Sequence, residues 1–177
     1  MKKLFVFVGD GGSGKTTLIT ELAKRHPDRF KKVVTCTSRP PRASEVGGVD
    51  YHFLPATFFV DNPELVLVKQ TDNGNYYGTK KADLCSNTHH LLLTSKPTGV
   101  SKLVALGFSN IVVVRIEISL ILKIERMKQR GDSEQMILER LKLDSISAEV
   151  DFGDMPIVEL DAVQSIDEKV SLVLKAC

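Results

Sequence analysis

The sequence predicts an α/β protein built on a doubly wound, mostly parallel sheet. Continuous apolar runs suit strands that are buried on both faces, and they occur at Leu4–Val8 and at residues 91–94, 111–118 and, more weakly, 157–160. Helical patterns lie between these runs, and a glycine-rich turn follows the first of them. Strands that alternate with helices imply parallel βαβ units.

The helices are predicted from apolar positions that share one helix face. The first covers Lys15–Arg25, where Leu18 and Leu22 lie on that face, and it ends before Pro27. Val33 and Val34 are expected to begin a second short strand. The remaining helices are expected at residues 100–106, Leu120–Gln129, residues 134–146 and Ile166–Lys175.

The segment from about residue 35 to 86 interrupts this alternation and is predicted to be an insert. It contains expected strands at residues 51–54 and 65–69, and Asn73-Gly74 signals a hairpin turn before Tyr76. We expect one domain, with a core of residues 1–34, 87–125 and 147–177. The insert at about 35–86 and a helical lid at about 126–146 complete it.

Composition restricts the possible partners. Of 177 residues, 42% are hydrophobic and 26% charged, and the net charge of +2 gives no reason to expect nucleic acid or a membrane as partner. Cys36, Cys85 and Cys177 form neither a disulfide framework nor a metal-ligand cluster. No apolar run approaches the roughly 20 residues of a membrane span. We therefore expect a cytoplasmic protein, as a monomer or a homodimer.

The turn after the first strand carries a phosphate-binding motif. Residues 9–16 match G-x-x-x-x-G-K-[ST] at every fixed position, between a predicted strand and a predicted helix. Backbone N–H groups of such a loop bind phosphates, Lys15 reaches the β- and γ-phosphates, and the Thr16 hydroxyl ligates Mg²⁺. The predicted ATP-binding residues are Gly9, Asp10, Gly11, Gly12, Ser13, Gly14, Lys15, Thr16 and Thr17.

Three further motifs resemble the guanylate kinase family. Residues 35–54 are similar to its Thr-Thr-Arg-x-Pro-Arg-x-Gly-Glu and Gly-x-Asp-Tyr-x-Phe, and residues 74–79 are similar to its Gly-Asn-Tyr-Tyr-Gly-Ser. Residues 126–141 resemble its arginine-bearing lid. With the phosphate loop, the resemblance covers nearly the whole chain in the family's order. It implies a P-loop NTPase fold in which the insert binds the acceptor, and a kinase that uses ATP and Mg²⁺.

The resemblance also implies roles for individual residues. Arginine forks suit a phosphate dianion, so Arg39 and Arg42, with Tyr51 and Tyr77, are expected to hold the acceptor's phosphate. The remaining acceptor-binding candidates are Thr35, Gln70, Gly78, Thr79 and Lys96. Phosphoryl transfer depends on positioning and on cations around the transferred group. The catalytic candidates are therefore Lys15, Arg39, Arg126, Arg130 and Arg140.

The sequence departs from the family where the family reads guanine. Counting back from Tyr77 without a gap places Val68 at the position of the family's guanine-binding Glu. The family's Asp-x-Asp is replaced by Thr94 and Lys96. Gln70 is the predicted substitute base reader, with Asp72 as a second choice. Lys96 is expected to neutralise phosphate in place of the lost Asp.

Three functions remain open on the sequence. The first is phosphoryl transfer from ATP to a ribo- or deoxynucleoside monophosphate, with a base preference altered from guanine. The second is a related P-loop kinase that acts on a phosphorylated sugar, which has no base to read. The third is a catalytically weak guanylate kinase-like binding domain, and the complete phosphate loop argues against it.

Overall fold

The computed structural model describes residues 2–42, 45–71, 73–86, 88–129, 131–145 and 150–177, with only the backbone at 140 and 142–145. Its strands are β1 Leu4–Val8, β2 Phe30–Lys32, β3 Cys36–Thr37, β4 His52–Phe53, β5 Leu65–Gln70, β6 Tyr76–Lys80, β7 His90–Thr94, β8 Ile111–Glu117 and β9 Ile157–Asp161. Its α-helices are α1 Lys15–Arg25, α2 Pro97–Ala105, α3 Leu120–Gln129, α4 Glu134–Ser145 and α5 Ile166–Lys175. Short 3₁₀ helices cover Ala56–Phe59 and Lys81–Leu84.

The larger sheet has five parallel strands in the order β2-β7-β1-β8-β9. All five residues of the central strand β1 are buried, which agrees with the continuous apolar pattern of its sequence. One core cluster, around Phe5 and Phe7, packs against α1 and α5, and a second, around Val6 and Val8, packs against α2. This confirms the predicted α/β fold.

The smaller sheet is formed wholly by residues 36–80 and has the order β4-β3-β6-β5. β3 pairs with β4 in parallel, whereas β3–β6 and β5–β6 are antiparallel. The β5–β6 register shifts between Val66 and Lys69, and Leu67 adopts a φ of 56° there. The outer strand of the hairpin therefore contains a β-bulge.

The helices that follow β8 turn sharply at Gly131. The N–H of Gly131 donates to the Lys128 carbonyl, and the N–H of Asp132 donates to the Met127 carbonyl. Gly131 has a φ of 86°, the left-handed conformation that ends many helices. Helix α3 therefore ends at Gln129 and α4 begins at Glu134, which agrees with the two separate helices expected there. No helix within the described ranges is long and apolar enough to cross a membrane.

One predicted strand position is wrong, and side-chain polarity does not decide burial everywhere. The second strand lies at Phe30–Lys32, before Val33, because pairing with β7 sets its position. Ile121 of α3 is 73% exposed, whereas Lys123 on the same helix is buried. His90, the first residue of β7, is also buried, and its ring packs against Phe5 and Phe30.

Candidate functional site

The phosphate loop occupies the carboxyl end of β1 and leads directly into α1. A Cβ on Gly9 would lie 2.4 Å from the backbone oxygen of Ile116, and its φ is 137°, so only glycine fits there. Gly14, with a φ of 96°, is the N-cap residue of α1, and Ser13 is fully buried. The loop is thus built tightly between β8 and the start of α1. Its N–H groups and the helix dipole favour a phosphate there.

The Lys15 ammonium lies against the loop. It donates to the carbonyl oxygens of Gly9 and Asp10 at 2.7 and 2.6 Å, and to the Ser13 hydroxyl at 3.2 Å. Thr16 follows in the first turn of α1 and is exposed. No group of three or more His, Cys, Asp or Glu in the described parts of the chain could hold a metal ion. The loop instead fits Mg²⁺ held by one threonine hydroxyl and by the nucleotide's phosphate oxygens.

Helix α3 is tied to the phosphate loop by two cations. Lys123, nearly fully buried, donates to the Asp10 carboxylate at 2.7 Å. One turn along, Arg126 donates to the Gly12 carbonyl and to the Ala162 carbonyl, both at 3.0 Å. The guanidinium of Arg126 is therefore beside the phosphate loop, at the start of the predicted lid.

The loop after β3, which was predicted to bind the acceptor, is organised by an ion pair between Arg39 and Glu45. Nη1 and Nη2 of Arg39 each donate to one Glu45 oxygen at 2.6 Å, and Nη1 also donates to the Pro40 carbonyl. Glu45 also accepts the N–H of Arg42 at 2.8 Å. Arg39 lowers the pKa of Glu45 to about 2. The guanidinium has five N–H donors, and it also forms side-chain hydrogen bonds with the Tyr77 and Tyr51 hydroxyls.

Two tyrosines stand next to this arginine. The guanidinium carbon of Arg39 lies 5.0 Å from the Tyr51 ring centre, and the Tyr51 and Tyr77 ring centres are 6.2 Å apart. Burial raises the pKa of the Tyr51 phenol, so it stays protonated. The structure thus brings Arg39, Tyr51 and Tyr77 together. The Arg42 backbone joins them through Glu45, while its side chain is exposed.

The pleat of the smaller sheet separates the predicted acceptor residues into two faces. Residues paired across neighbouring strands share a face, so Thr37, Tyr77 and Lys69 lie together. Val66 and Thr79 form the next pair on this side. We call it the acceptor face, because it carries Tyr77. Thr35 lies just before β3, and its carbonyl accepts the N–H of His52.

Gln70, the predicted base reader, lies on the opposite face. It pairs with Tyr76, whose ring stacks on Phe59 at 5.7 Å, and its amide donates to the Gly74 carbonyl. Val68 packs there too, since its Cγ2 would lie 3.4 Å from a Cβ on Gly78. The bulge is the reason, because one extra residue moves each following side chain to the other face. The structure therefore places Gln70, Val68 and Gly78 on the face opposite the acceptor face.

Lys96 lies at the edge of the main sheet that also carries the phosphate loop. The last residue of β7, Thr94, pairs with Phe7, and the N–H of Ser95 donates to the Phe7 carbonyl. Lys96 is the N-cap residue of α2 and is exposed. It is thus close to the strand end where ligands bind in open α/β sheets.

Three predicted residues cannot be placed. Arg130 and Asp72 lie outside the described residues, and the side chain of Arg140 is not described. Their roles remain predictions.

Sequence reasoning missed three charged residues of the site. Glu45 has a signal, since it stands in the loop motif that contains both arginines. Lys69 has no such signal, because the bulge decides which face of the sheet its side chain occupies, and an alignment without a gap does not reveal a bulge. Lys123 looks like a solvated lysine on α3, and only the position of Asp10 explains its burial.

Comparisons with known proteins agree with this geometry. The family model described as guanylate kinase matches residues 1–176. A guanylate kinase of Idiomarina loihiensis is 34% identical over 146 residues, which cover 78% of this chain and 69% of that protein. A guanylate kinase of Chlamydia felis is 38% identical over 92 residues.

The Chlamydia felis match covers 46% of this chain and 41% of its relative, so the chain spans about two fifths of that protein. Among solved structures, a guanylate kinase from Anaplasma phagocytophilum superposes with a TM-score of 0.64 at 18% identity. The match covers 99% of this chain and 84% of that one. A similarity this distant supports the fold.

Proposed function

The chain belongs to the guanylate kinase family, and on that premise we propose that it transfers the γ-phosphoryl group of ATP to the phosphate of a ribo- or deoxynucleoside monophosphate. The products are ADP and the nucleoside diphosphate. The observation that carries the proposal is the cluster of Arg39, Tyr51 and Tyr77, in which Glu45 orients the guanidinium beside two tyrosine hydroxyls; a cationic fork and neutral donors suit a phosphate dianion.

ATP is assigned to the phosphate loop of residues 9–17. The backbone N–H groups and Lys15 bind the β- and γ-phosphates, and the Thr16 hydroxyl holds Mg²⁺. When bound, the ion neutralises charge on the transferred group. Arg126, already beside Gly12, supplies a further cation at the same place. Arg130 and Arg140 are proposed to join it from the lid.

The acceptor phosphate is assigned to Arg39, Arg42, Tyr51 and Tyr77. One of its oxygens attacks the γ-phosphorus, a new P–O bond forms, and the bond to the β–γ bridging oxygen breaks so that ADP leaves with that electron pair. The protein supplies position and charge, and the phosphate dianion needs no general base. The tyrosine hydroxyls orient the dianion without adding charge, and burial raises the pKa of the Tyr51 phenol.

The base is proposed to differ from guanine. Strands β3, β5 and β6 present no carboxylate on the acceptor face, where Lys69 lies beside Tyr77. A carboxylate pairs with guanine's N–H donors, whereas an ammonium repels them. Thr79 is buried on this face, and its hydroxyl both donates and accepts, so it does not restrict the base.

The test is ADP release with ATP and Mg²⁺ across a panel of ribo- and deoxynucleoside monophosphates, with GMP included. We expect one acceptor to accelerate release well above the rate without acceptor, and GMP not to be the best by kcat/KM. Arg39→Met should raise the acceptor's KM by about tenfold or more, because a charged bidentate contact is lost. Lys24→Met, which removes an exposed charge on α1, is the matched control. A panel in which no acceptor accelerates release contradicts the proposal.

A phosphorylated sugar is the second candidate acceptor. It shares the phosphate that the arginines bind and needs no base reader, and Lys69 on the acceptor face favours it. Including ribose 5-phosphate in the same panel separates the two. A catalytically weak binding domain remains as the third candidate, and it would show ATP binding with a flat panel.

A further inference from the structure

Two lysines flank the junction between the acceptor hairpin and α2. Lys69, in β5, has its ammonium 5.4 Å from the centre of the Tyr77 ring. Lys96 stands at the start of α2, next to the phosphate-loop edge of the sheet. The bulged Leu67 packs against this helix, since its Cδ2 would lie 3.7 Å from a Cβ on Gly99. This packing places the start of α2 beside β5, the strand that carries Lys69.

The charges of the two lysines interact. Partial desolvation and, next, repulsion by Lys96 hold the pKa of Lys69 below its usual value. Neither ammonium forms an ion pair with a carboxylate among the residues whose side chains are described. Two like charges whose fields reinforce each other raise the local concentration of anions.

Lys69 and Arg39 approach Tyr77 from opposite sides, because they belong to the strands that flank β6 or to the loop after them. Arg39 follows β3, and β6 lies between β3 and β5. Two inter-strand spacings of about 4.8 Å place the backbone of β5 about 10 Å from that of β3. A nucleoside or a sugar phosphate is long enough to bridge that distance.

We propose that Lys69 and Lys96 bind a second anionic group of the acceptor, a carboxylate or a phosphate at the end remote from the phosphate held by Arg39. This rests on the proposed function, because it takes the arginine loop as the site of the accepting phosphate. The acceptor would then be a nucleoside monophosphate with an acidic base or a phosphorylated sugar with a second phosphate. The two lysines would be specificity-determining residues.

The experiment measures binding by calorimetry without ATP, using two matched pairs of acceptors. Uridine 5′-monophosphate and orotidine 5′-monophosphate differ by a carboxylate on the base. Ribose 5-phosphate and ribose 1,5-bisphosphate differ by a distal phosphate. We expect the wild-type protein to bind the second member of at least one pair about tenfold more tightly or better. The pair that shows the preference identifies which anion is bound.

Lys69→Met, Lys96→Met and the double variant test the assignment. Each single change should lower the preference, and the double change should bring the Kd ratio close to one. Lys102→Met removes an exposed charge from the same helix and should keep the wild-type ratio. Circular dichroism checks that every variant is folded.

Two results overturn the inference. A wild-type ratio near one, with the singly charged members still bound, refutes it and leaves the proposed function standing. A preference that survives in the double variant refutes the assignment to these lysines. If the wild-type protein binds none of the four compounds nor any acceptor of the nucleotide panel, the proposed function fails as well.

Discussion

Replacing Glu45 by Gln tests whether this carboxylate holds the phosphate-binding arginine in place. Glu45 accepts hydrogen bonds from both terminal nitrogens of Arg39 and from the backbone N–H of Arg42. The side chains of Arg39 and Glu45 are each only 13% exposed. A glutamine has one accepting oxygen and no charge, so the bidentate contact is lost. We expect a less stable insert and a less well oriented Arg39.

The magnitude follows from the pKa of Glu45, which falls from 4.5 to about 2 on folding. Each pKa unit corresponds to about 1.4 kcal/mol, which gives an upper limit of about 3 kcal/mol. The loop is at the surface, and solvent screening reduces the contribution to about 1–2 kcal/mol. For a protein of this size, that lowers the Tm by about 3–6 °C.

The sign of the pH dependence distinguishes this ion pair from a general packing defect. A depressed carboxyl pKa stabilises the fold above pH 4.5, and the contribution is lost as the pH falls toward 2. Urea unfolding should therefore show a difference between wild type and Glu45→Gln at pH 7 that shrinks to less than half near pH 3. The acceptor KM should rise about tenfold, with the KM for ATP unchanged.

Glu64→Gln is the matched control, because Glu64 is exposed in the same insert and its side chain forms no ion pair with any described residue. The reasoning is refuted if the stability difference does not depend on pH. It is also refuted if Glu45→Gln and Glu64→Gln have the same acceptor KM.

Three further changes probe the rest of the site. Gly9→Ala should lower the free energy of unfolding by about 3 kcal/mol and abolish ATP binding, because the new Cβ would clash with the Ile116 backbone oxygen. Thermal unfolding measures the first effect, and a normal affinity for ATP would contradict the second. Burial lowers the pKa of His90, whose Nδ1 accepts the backbone N–H of Lys3. The free energy of unfolding of the wild type should therefore fall from pH 7 to pH 5, and that of His90→Gln should fall less. Parallel pH curves would exclude His90 as the cause. Arg126→Met should lower kcat about 100-fold in the ADP-release assay, and a kcat within threefold of wild type would remove it from the catalytic set.

Local sequence signals predicted the elements that carry the phosphate loop. Helix α1 has its predicted bounds, Lys15–Arg25, because Gly14 and Pro27 mark its two ends. The buried strands were equally predictable from the sequence, since a strand covered on both faces needs an unbroken apolar run. These features depend on residues that are neighbours in the chain.

Features that depend on distant residues could not be predicted. The position of β2 is set by pairing with β7, and the burial of Lys123 is set by Asp10, which is 113 residues away. The face of Gln70 depends on a bulge whose residue, Leu67, carries no glycine signal. In each case the residue type is compatible with the observed position, but a residue distant in the sequence determines that position.

The bulge in β5 makes the chemistry beside Tyr77 sensitive to the register of this hairpin. Because side chains alternate along a strand, a one-residue slip of β5 against β6 that closed the bulge would pair Val68 with Tyr77. Gln70 would then join Val68 on the acceptor face, and Lys69 would move to the opposite face. The same amino-acid sequence would thus present an amide in place of an ammonium to a bound molecule.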